Sequence, residues 1–155
     1  MKRNILLNSI SVLLILLFVY TGVSKLIGYY DFIWVLTKSP ITRNFPVSLA
    51  LFIPMSELVA AALLLSGTFL RKWGFYTSTL LMLIFTSYIC YMLLFIPHNH
   101  LPCSCGGVLR VMTWKQHLIF NIFFLFLAMI GSILSNREPQ NPIKTSPNLM
   151  QPKIA

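Results

Sequence analysis

Two cysteines separated by one residue are the strongest chemical feature of this 155-residue sequence. Cys103 and Cys105 lie in a polar stretch that continues with two glycines. A disulfide needs Cα atoms within about 7 Å of each other, which is near the limit for residues two positions apart, so a bond between them would be strained. Strained, exposed disulfides tend to be reactive, and so short a loop hardly constrains the unfolded chain. The spacing therefore favours thiol–disulfide redox chemistry, with Cys103 and Cys105 as the catalytic pair.

The same stretch allows two other interpretations. His98 and His100 precede the cysteines, and the four side chains together could bind zinc or copper, although their spacing matches no standard zinc module. The cysteines could also be reduced, or permanently bridged, in a tight turn without any redox role. The sequence alone leaves all three interpretations open. A third cysteine, Cys90, falls within an apolar run, where we expect a small hydrophobic side chain rather than a redox relay.

Three further residues could bind a cofactor close to the cysteines. Trp114 and His117 are three positions apart and share one face of a helix, and His117 could move protons or hydrogen-bond a quinone carbonyl. Glu57 is the one acidic residue within a long apolar run, and such residues usually mark a functional site. The alternatives are that Trp114 and His117 anchor a helix at the membrane interface, and that Glu57 only packs or bonds between helices.

A carboxylate inside a bilayer needs a polar partner. Glu57 lies about 18 Å along a helix from Phe45, near the expected bilayer midplane. Lys25 lies near the outer surface, so we expect its side chain not to reach the carboxylate. The nearer candidates are polar residues of the third apolar run, namely Ser78, Thr86, Ser87 and Tyr88.

The elements that must position these residues are membrane-spanning helices. Hydrophobic residues make up 57% of the chain and charged residues only 10%, against about 25% in a soluble domain, which excludes a soluble globular enzyme. The net charge of +9 comes from basic residues at the borders of apolar runs, which argues against a nucleic-acid-binding module. Four continuous apolar runs are each long enough to cross the roughly 30 Å hydrocarbon layer as a helix. They cover residues 5–22, 45–70, 74–97 and 117–134.

The sequence thus predicts an all-α membrane protein, a four-transmembrane-helix bundle with a short interfacial helix after the first span. Phe32, Val35 and Leu36 have helical spacing in an aromatic-rich connection that suits the headgroup layer. We expect one domain over residues 1–135 and a disordered cytoplasmic tail over 136–155, where four prolines oppose a helix. The first run is expected to be a retained helix rather than a cleaved signal peptide, because three spans follow it.

The distribution of basic residues predicts the orientation. Arg71 and Lys72 are adjacent in what we take to be a tight turn between spans two and three, on the same side as both termini. The positive-inside rule then places both termini in the cytoplasm and the cysteine stretch in the periplasm or its equivalent, where disulfides persist.

Several motifs along the chain fit one known pattern. They are Gly22, Lys25 and Leu26 at the end of the first run, Pro54 and Glu57 in the second, and Cys103-Ser104-Cys105-Gly106 followed by Trp114 and Asn121. With these residues the chain resembles the methylamine-utilisation MauE family, within the wider DoxX-like group of four-helix membrane proteins. The sequence departs from the family pattern at Gly107, where an aromatic residue is expected, and at His117, where Arg is common.

The resemblance implies an inner-membrane protein that assists the oxidative maturation of a secreted or periplasmic thiol-containing partner. The fold it implies is similar to that of quinone-linked thiol oxidases, so a quinone is the cofactor expected near Trp114, His117 and Glu57. The partners expected are the lipid bilayer and that thiol protein, with no nucleic acid. Two rival functions are a non-catalytic membrane assembly factor and a metal-handling protein that uses the loop of His98, His100, Cys103 and Cys105.

Overall fold

The computed structural model describes residues 2–95 and 113–136, which form five α-helices and no strand. Four of them, α1, α3, α4 and α5, are long and apolar enough to cross a membrane. The predicted all-α architecture, with four such helices and a short helix after the first, is confirmed. The predicted tail lies, apart from Asn136, outside the described residues. The helices are α1 Lys2–Ile27, α2 Tyr29–Lys38, α3 Pro46–Leu65, α4 Thr68–Phe95 and α5 Trp114–Asn136.

The turn between α3 and α4 lies earlier than the sequence predicted. Arg71 and Lys72 are in the first turns of α4, and the chain reverses at Ser66 and Gly67 instead. The Ser66 hydroxyl and its backbone N–H both donate to the carbonyl of Ala62, which satisfies an acceptor at the end of α3. Adjacent charges do not end a helix at a membrane surface, whereas Ser and Gly do favour a helix C-terminus, so the prediction from charge was wrong.

The four long helices form a closed antiparallel ring. In it α1 packs between α3 and α5, while α4 packs on the other sides of the same two helices. Arg71 at the start of α4 donates to the side chain of Asn8 near the start of α1 at 2.9 Å, and Asn136 at the end of α5 contacts Tyr76 on α4. We call this end of the bundle, which carries the first turns of α1, the terminal end. The opposite end, where α2 packs against α3, is the α2 end.

Near the terminal end, the helices pack so closely at two glycines that an added Cβ would find no room. A Cβ added to Gly74 would lie 2.8 Å from the backbone nitrogen of Leu64, so α3 and α4 touch through their main chains there. A Cβ on Gly131 would overlap the buried ring of Phe75, so this ring of α4 packs directly against the main chain of α5. Small residues at such contacts let membrane helices approach each other closely. A cavity lies toward the other end of the bundle.

Candidate functional site

A cavity of about 560 Å³ lies at the α2 end and is lined by all five helices. Most of the wall is aromatic or aliphatic, with Phe18, Phe32, Phe85 and Phe120 among its residues. A few polar side chains converge on this apolar space, which is the usual composition of a small-molecule site. The polar ones on α1, α3 and α5 are Thr21, Lys25, Ser56, Glu57, His117 and Asn121.

Lys25 and Glu57 form an ion pair at the wall of this cavity. The Lys25 Nζ lies 2.5 Å from Oε1 of Glu57, and the two side chains are 14% and 1% exposed. The expectation that Lys25 cannot reach Glu57 was therefore wrong. Cα–Cβ bonds tilt toward the N-terminus of a helix. Since α1 and α3 are antiparallel, the Lys25 side chain leans from the end of α1 toward the terminal end, while the Glu57 side chain leans along α3 toward the α2 end. The ammonium and the carboxylate therefore meet.

Two of the four polar residues of α4 that were expected near Glu57 hydrogen-bond within their own helix. Ser78 and Thr86 donate to the carbonyl oxygens of Gly74 and Met82 on their own helix, at 2.7 and 2.6 Å. Such back-bonding satisfies a hydroxyl in an apolar environment without a second helix. Ser87 and Tyr88 line the same cavity as Glu57.

The surroundings of the ion pair are apolar. The Lys25 Nζ lies 5.4 Å from the ring centre of Phe85 and 6.0 Å from that of Phe32, within the range of cation–π attraction. Gly22, one turn before Lys25, lets α1 lie against α3, because a Cβ there would come within 3.3 Å of the Pro54 carbonyl oxygen. The pair is thus held in a low-dielectric wall, where losing one partner leaves a charge without compensation.

The second carboxylate oxygen of Glu57 receives no hydrogen bond from any residue in the ranges 2–95 and 113–136. Thr21 is the neighbouring hydroxyl, but it donates its proton to the Leu17 carbonyl at 2.9 Å. A buried acceptor without a donor is costly, so Oε2 is available to a further donor group.

The start of α5 places Trp114 and His117 at the same cavity. Thr113 and Gln116 form a capping box, in which the Thr113 N–H donates to Gln116 Oε1 at 2.9 Å and the Gln116 N–H to Thr113 Oγ1 at 3.4 Å. This cap fixes where the helix begins and therefore which residues face the bundle. The structure thus brings Glu57, Trp114 and His117 together as cavity-lining residues. Their binding of a cofactor stays a prediction.

Asn121 also lines the cavity, one turn after His117. Its side-chain amide donates to the His117 carbonyl at 2.9 Å, a hydrogen bond within α5.

The predicted catalytic cysteines, Cys103 and Cys105, lie outside the described residues, as do His98 and His100. Cys90 is half-buried on α4 with a free thiol. Within residues 2–95 and 113–136 no group of three or more potential metal ligands occurs, so the metal hypothesis rests on the loop alone.

Sequence reasoning missed the main polar feature of this site, which is Lys25 with its aromatic neighbours. The first apolar run was ended at Gly22, although α1 continues to Ile27 and includes the lysine. A signal was present, because Lys25 stands one helical turn after Gly22, on the helix face where that small residue permits close packing.

Residues 3–134 match the family described as "Methylamine utilisation protein MauE". The chain belongs to the MauE family. The matched region includes nearly all of the four long helices, the ion pair, and Cys103 and Cys105. No curated protein and no solved structure matches the chain. With four apolar helices in a closed ring, this MauE-family member is a multi-pass membrane protein whose surroundings are a lipid bilayer.

Proposed function

We propose that this MauE-family protein is a membrane thiol–disulfide redox protein that assists the oxidative maturation of a secreted or periplasmic partner. The supporting observation is that the Lys25–Glu57 pair and His117 converge on one apolar cavity at the α2 end. The chain segment that carries Cys103 and Cys105 is attached to the bundle at this same end.

The attachment follows from the flanking helices. That segment leaves α4 after Phe95 and enters α5 just before Trp114, which lines the cavity. Cys105 is eight residues before Thr113, and eight residues span at most about 28 Å when fully extended. The segment that carries the two cysteines is therefore joined to the bundle at the α2 end, which supports the proposal.

In the proposed reaction, thiol–disulfide exchange passes a disulfide from Cys103 and Cys105 to a partner dithiol. The partner loses two electrons and two protons, and the cysteine pair is reduced to two thiols. Closing the pair again releases two electrons and two protons, so a two-electron acceptor is required. A quinone, which becomes a quinol when it takes up both, would supply this chemistry when bound.

The cavity residues fit a quinone ring. The volume of the cavity lies within the range of about 300–1,000 Å³ for small-molecule sites, and the cavity wall is mainly aromatic and aliphatic. Lys25 retains ammonium protons beyond the one donated to Glu57, and can donate to a carbonyl oxygen. Trp114 offers an apolar face at the same wall. In this proposal Lys25, Glu57, His117 and Trp114 hold and orient the ring.

The test is the redox state of the loop cysteines in membranes. In a Cys90→Ser background, the remaining thiols are trapped by an alkylating reagent of known mass, with and without added decylubiquinone. We expect decylubiquinone to lower the number of labelled thiols from two toward zero, and the Glu57→Gln variant to slow this change. A variant that also carries Cys103→Ser and Cys105→Ser is the control, because it has no cysteine left to label. A pair that stays reduced with decylubiquinone and under general oxidising conditions refutes the proposal.

We further propose that the protein lies in the inner membrane with both termini in the cytoplasm. The support is the concentration of basic residues on the terminal side, including Arg71 and Lys72 at the start of α4. A membrane-impermeant maleimide added to intact cells or spheroplasts should label reduced Cys103 and Cys105. Labelling only after the membrane is permeabilised would contradict this orientation and the redox role together.

A further inference from the structure

Among the four spanning helices, the exposed part of the cavity wall lies on α3 and α4. Lining residues on α1 and α5 are all buried or half-buried. The exposed ones on the spanning helices belong to α3 and α4: Phe52 is 69% exposed, Ile84 52% and Tyr91 37%, with Ser87 between them. The mouth of the cavity therefore lies between α3 and α4.

The packing of α3 and α4 explains this opening. Their main chains touch at Gly74, at the terminal end, and the space between them is occupied by the cavity toward the α2 end. Phe52 lies six residues into α3, or about 9 Å from its start, and Ile84 lies about 16 Å from the end of α4. Both positions are within the apolar spans, so the mouth faces lipid rather than water.

The chain after α2 packs against α4 beside this opening, and its Ile41, which is 51% exposed, also lines the cavity. Ser39, directly after α2, is fully buried and contacts the sulfur of Met92 on α4 at 3.8 Å. Val35 and Leu36 of α2 are buried against the same cavity. The gap between α3 and α4 therefore offers a ligand a route from the bilayer to the ion pair.

We propose that a lipid-soluble molecule bearing a ring hydroxyl enters sideways between α3 and α4 and donates a hydrogen bond to Oε2 of Glu57, with its apolar tail remaining in the gap. The inference rests on the proposed function, and deepens it, because the reduced acceptor of that reaction, a quinol, is such a molecule. Oε2 is the buried acceptor without a donor, and it can accept from a hydroxyl but not from a quinone carbonyl. The site therefore favours the reduced form.

The test measures binding without thiol chemistry. The full-length protein carries Cys103→Ser and Cys105→Ser, so no electron transfer from that pair can occur. The protein has three tryptophans, and Trp34→Phe and Trp73→Phe remove two of them. Trp114, at the cavity wall, is then the remaining tryptophan. Changes in its emission are then followed during titration with decylubiquinol and with decylubiquinone.

We expect decylubiquinol to bind at least threefold more tightly than decylubiquinone. The double variant Lys25→Met/Glu57→Met removes the acceptor without leaving an unpaired charge, and should bring the ratio of the two affinities close to one. A ratio that is already one in the parent protein, or that is unchanged in the double variant, overturns the role of Oε2. Because the readout is a ratio within one protein, a general loss of affinity does not imitate the expected result.

The entrance is tested by the rate of binding. Ser87→Phe places a ring at the mouth and should slow the emission change at least threefold. Ser48→Phe is the matched control, since Ser48 is exposed on α3 and does not line the cavity. Equal rates in both variants overturn lateral entry.

Failure of the proposed function gives a different result. If Cys103 and Cys105 never oxidise but the binding ratio and the Ser87→Phe effect are found, the lipid-soluble ligand stands without the redox role. If the cysteines oxidise with decylubiquinone while neither effect is seen, the redox role stands and this inference fails.

Discussion

The Lys25–Glu57 pair permits a sharp test of what stabilises the α2 end. At 2.5 Å and an effective dielectric constant of about 20, the Coulomb attraction is roughly 7 kcal/mol, most of which offsets the cost of removing both charges from water. Removing one partner of a buried pair typically costs about 3–5 kcal/mol, whereas replacing both with apolar residues of similar size is often neutral or stabilising. We therefore expect Lys25→Met to destabilise the protein by about 3–5 kcal/mol, and Lys25→Met/Glu57→Met to restore most of that loss.

The two single variants should differ. Lys25 is two residues from the end of α1, so a lysine without its partner can extend toward the interface, as long cationic side chains do. Glu57 is short and lies about 16 Å from the start of α3, so it cannot. Glu57→Met should therefore cost less than Lys25→Met.

The assay is thermal or denaturant unfolding of the purified protein in one detergent, with all four proteins of the double-mutant cycle compared. A coupling free energy of at least about 2 kcal/mol is expected from a pair in direct contact. The reasoning is refuted if Lys25→Met costs less than about 1 kcal/mol, or if the double variant is less stable than both singles.

The remaining predictions concern helix packing and capping. Gly131→Val should destabilise the bundle by about 1–3 kcal/mol, because added carbons meet the Phe75 ring, while Gly67→Ala, with no atom within 4 Å of its added Cβ, should change the unfolding midpoint little. Gly74→Ala should also destabilise, since backbone of Leu64 cannot move aside as a side chain can; an unchanged midpoint would contradict the close contact. Thr113→Ala should cost about 1 kcal/mol by removing the capping box, detectable as faster amide hydrogen exchange in the first turn of α5.

The number and type of the elements could be predicted from the sequence because the membrane restricts the choices. Continuous apolar runs of about 20 residues can only be helices when they cross lipid, so four spans followed from composition and length alone. The short helix around Val35 and Leu36 followed from spacing, and both residues are buried as a helical face requires. Here local pattern and global fold agree.

The contacts of the site could not be predicted in the same way. Whether Lys25 reaches Glu57 depends on the relative height of two antiparallel helices and on the lean of each side chain, and neither is a property of one segment. Glu57 could be recognised as a functional candidate because a carboxyl in an apolar run is costly anywhere. Its partner required the register between α1 and α3, which Gly22 helps to set.

The glycine contacts at Gly74 and Gly131 have a consequence for motion. Near the terminal end, the main chain of α4 contacts the main chain of α3, and the main chain of α5 contacts the ring of Phe75 on α4. Any widening of the bundle must therefore take the form of a small outward rotation of the helix ends at the α2 end. A rotation of this kind changes the gap near Ile84 far more than the spacing near Phe75. A change in the spacing of α3 and α4 at the α2 end would therefore leave the glycine contacts at the terminal end intact.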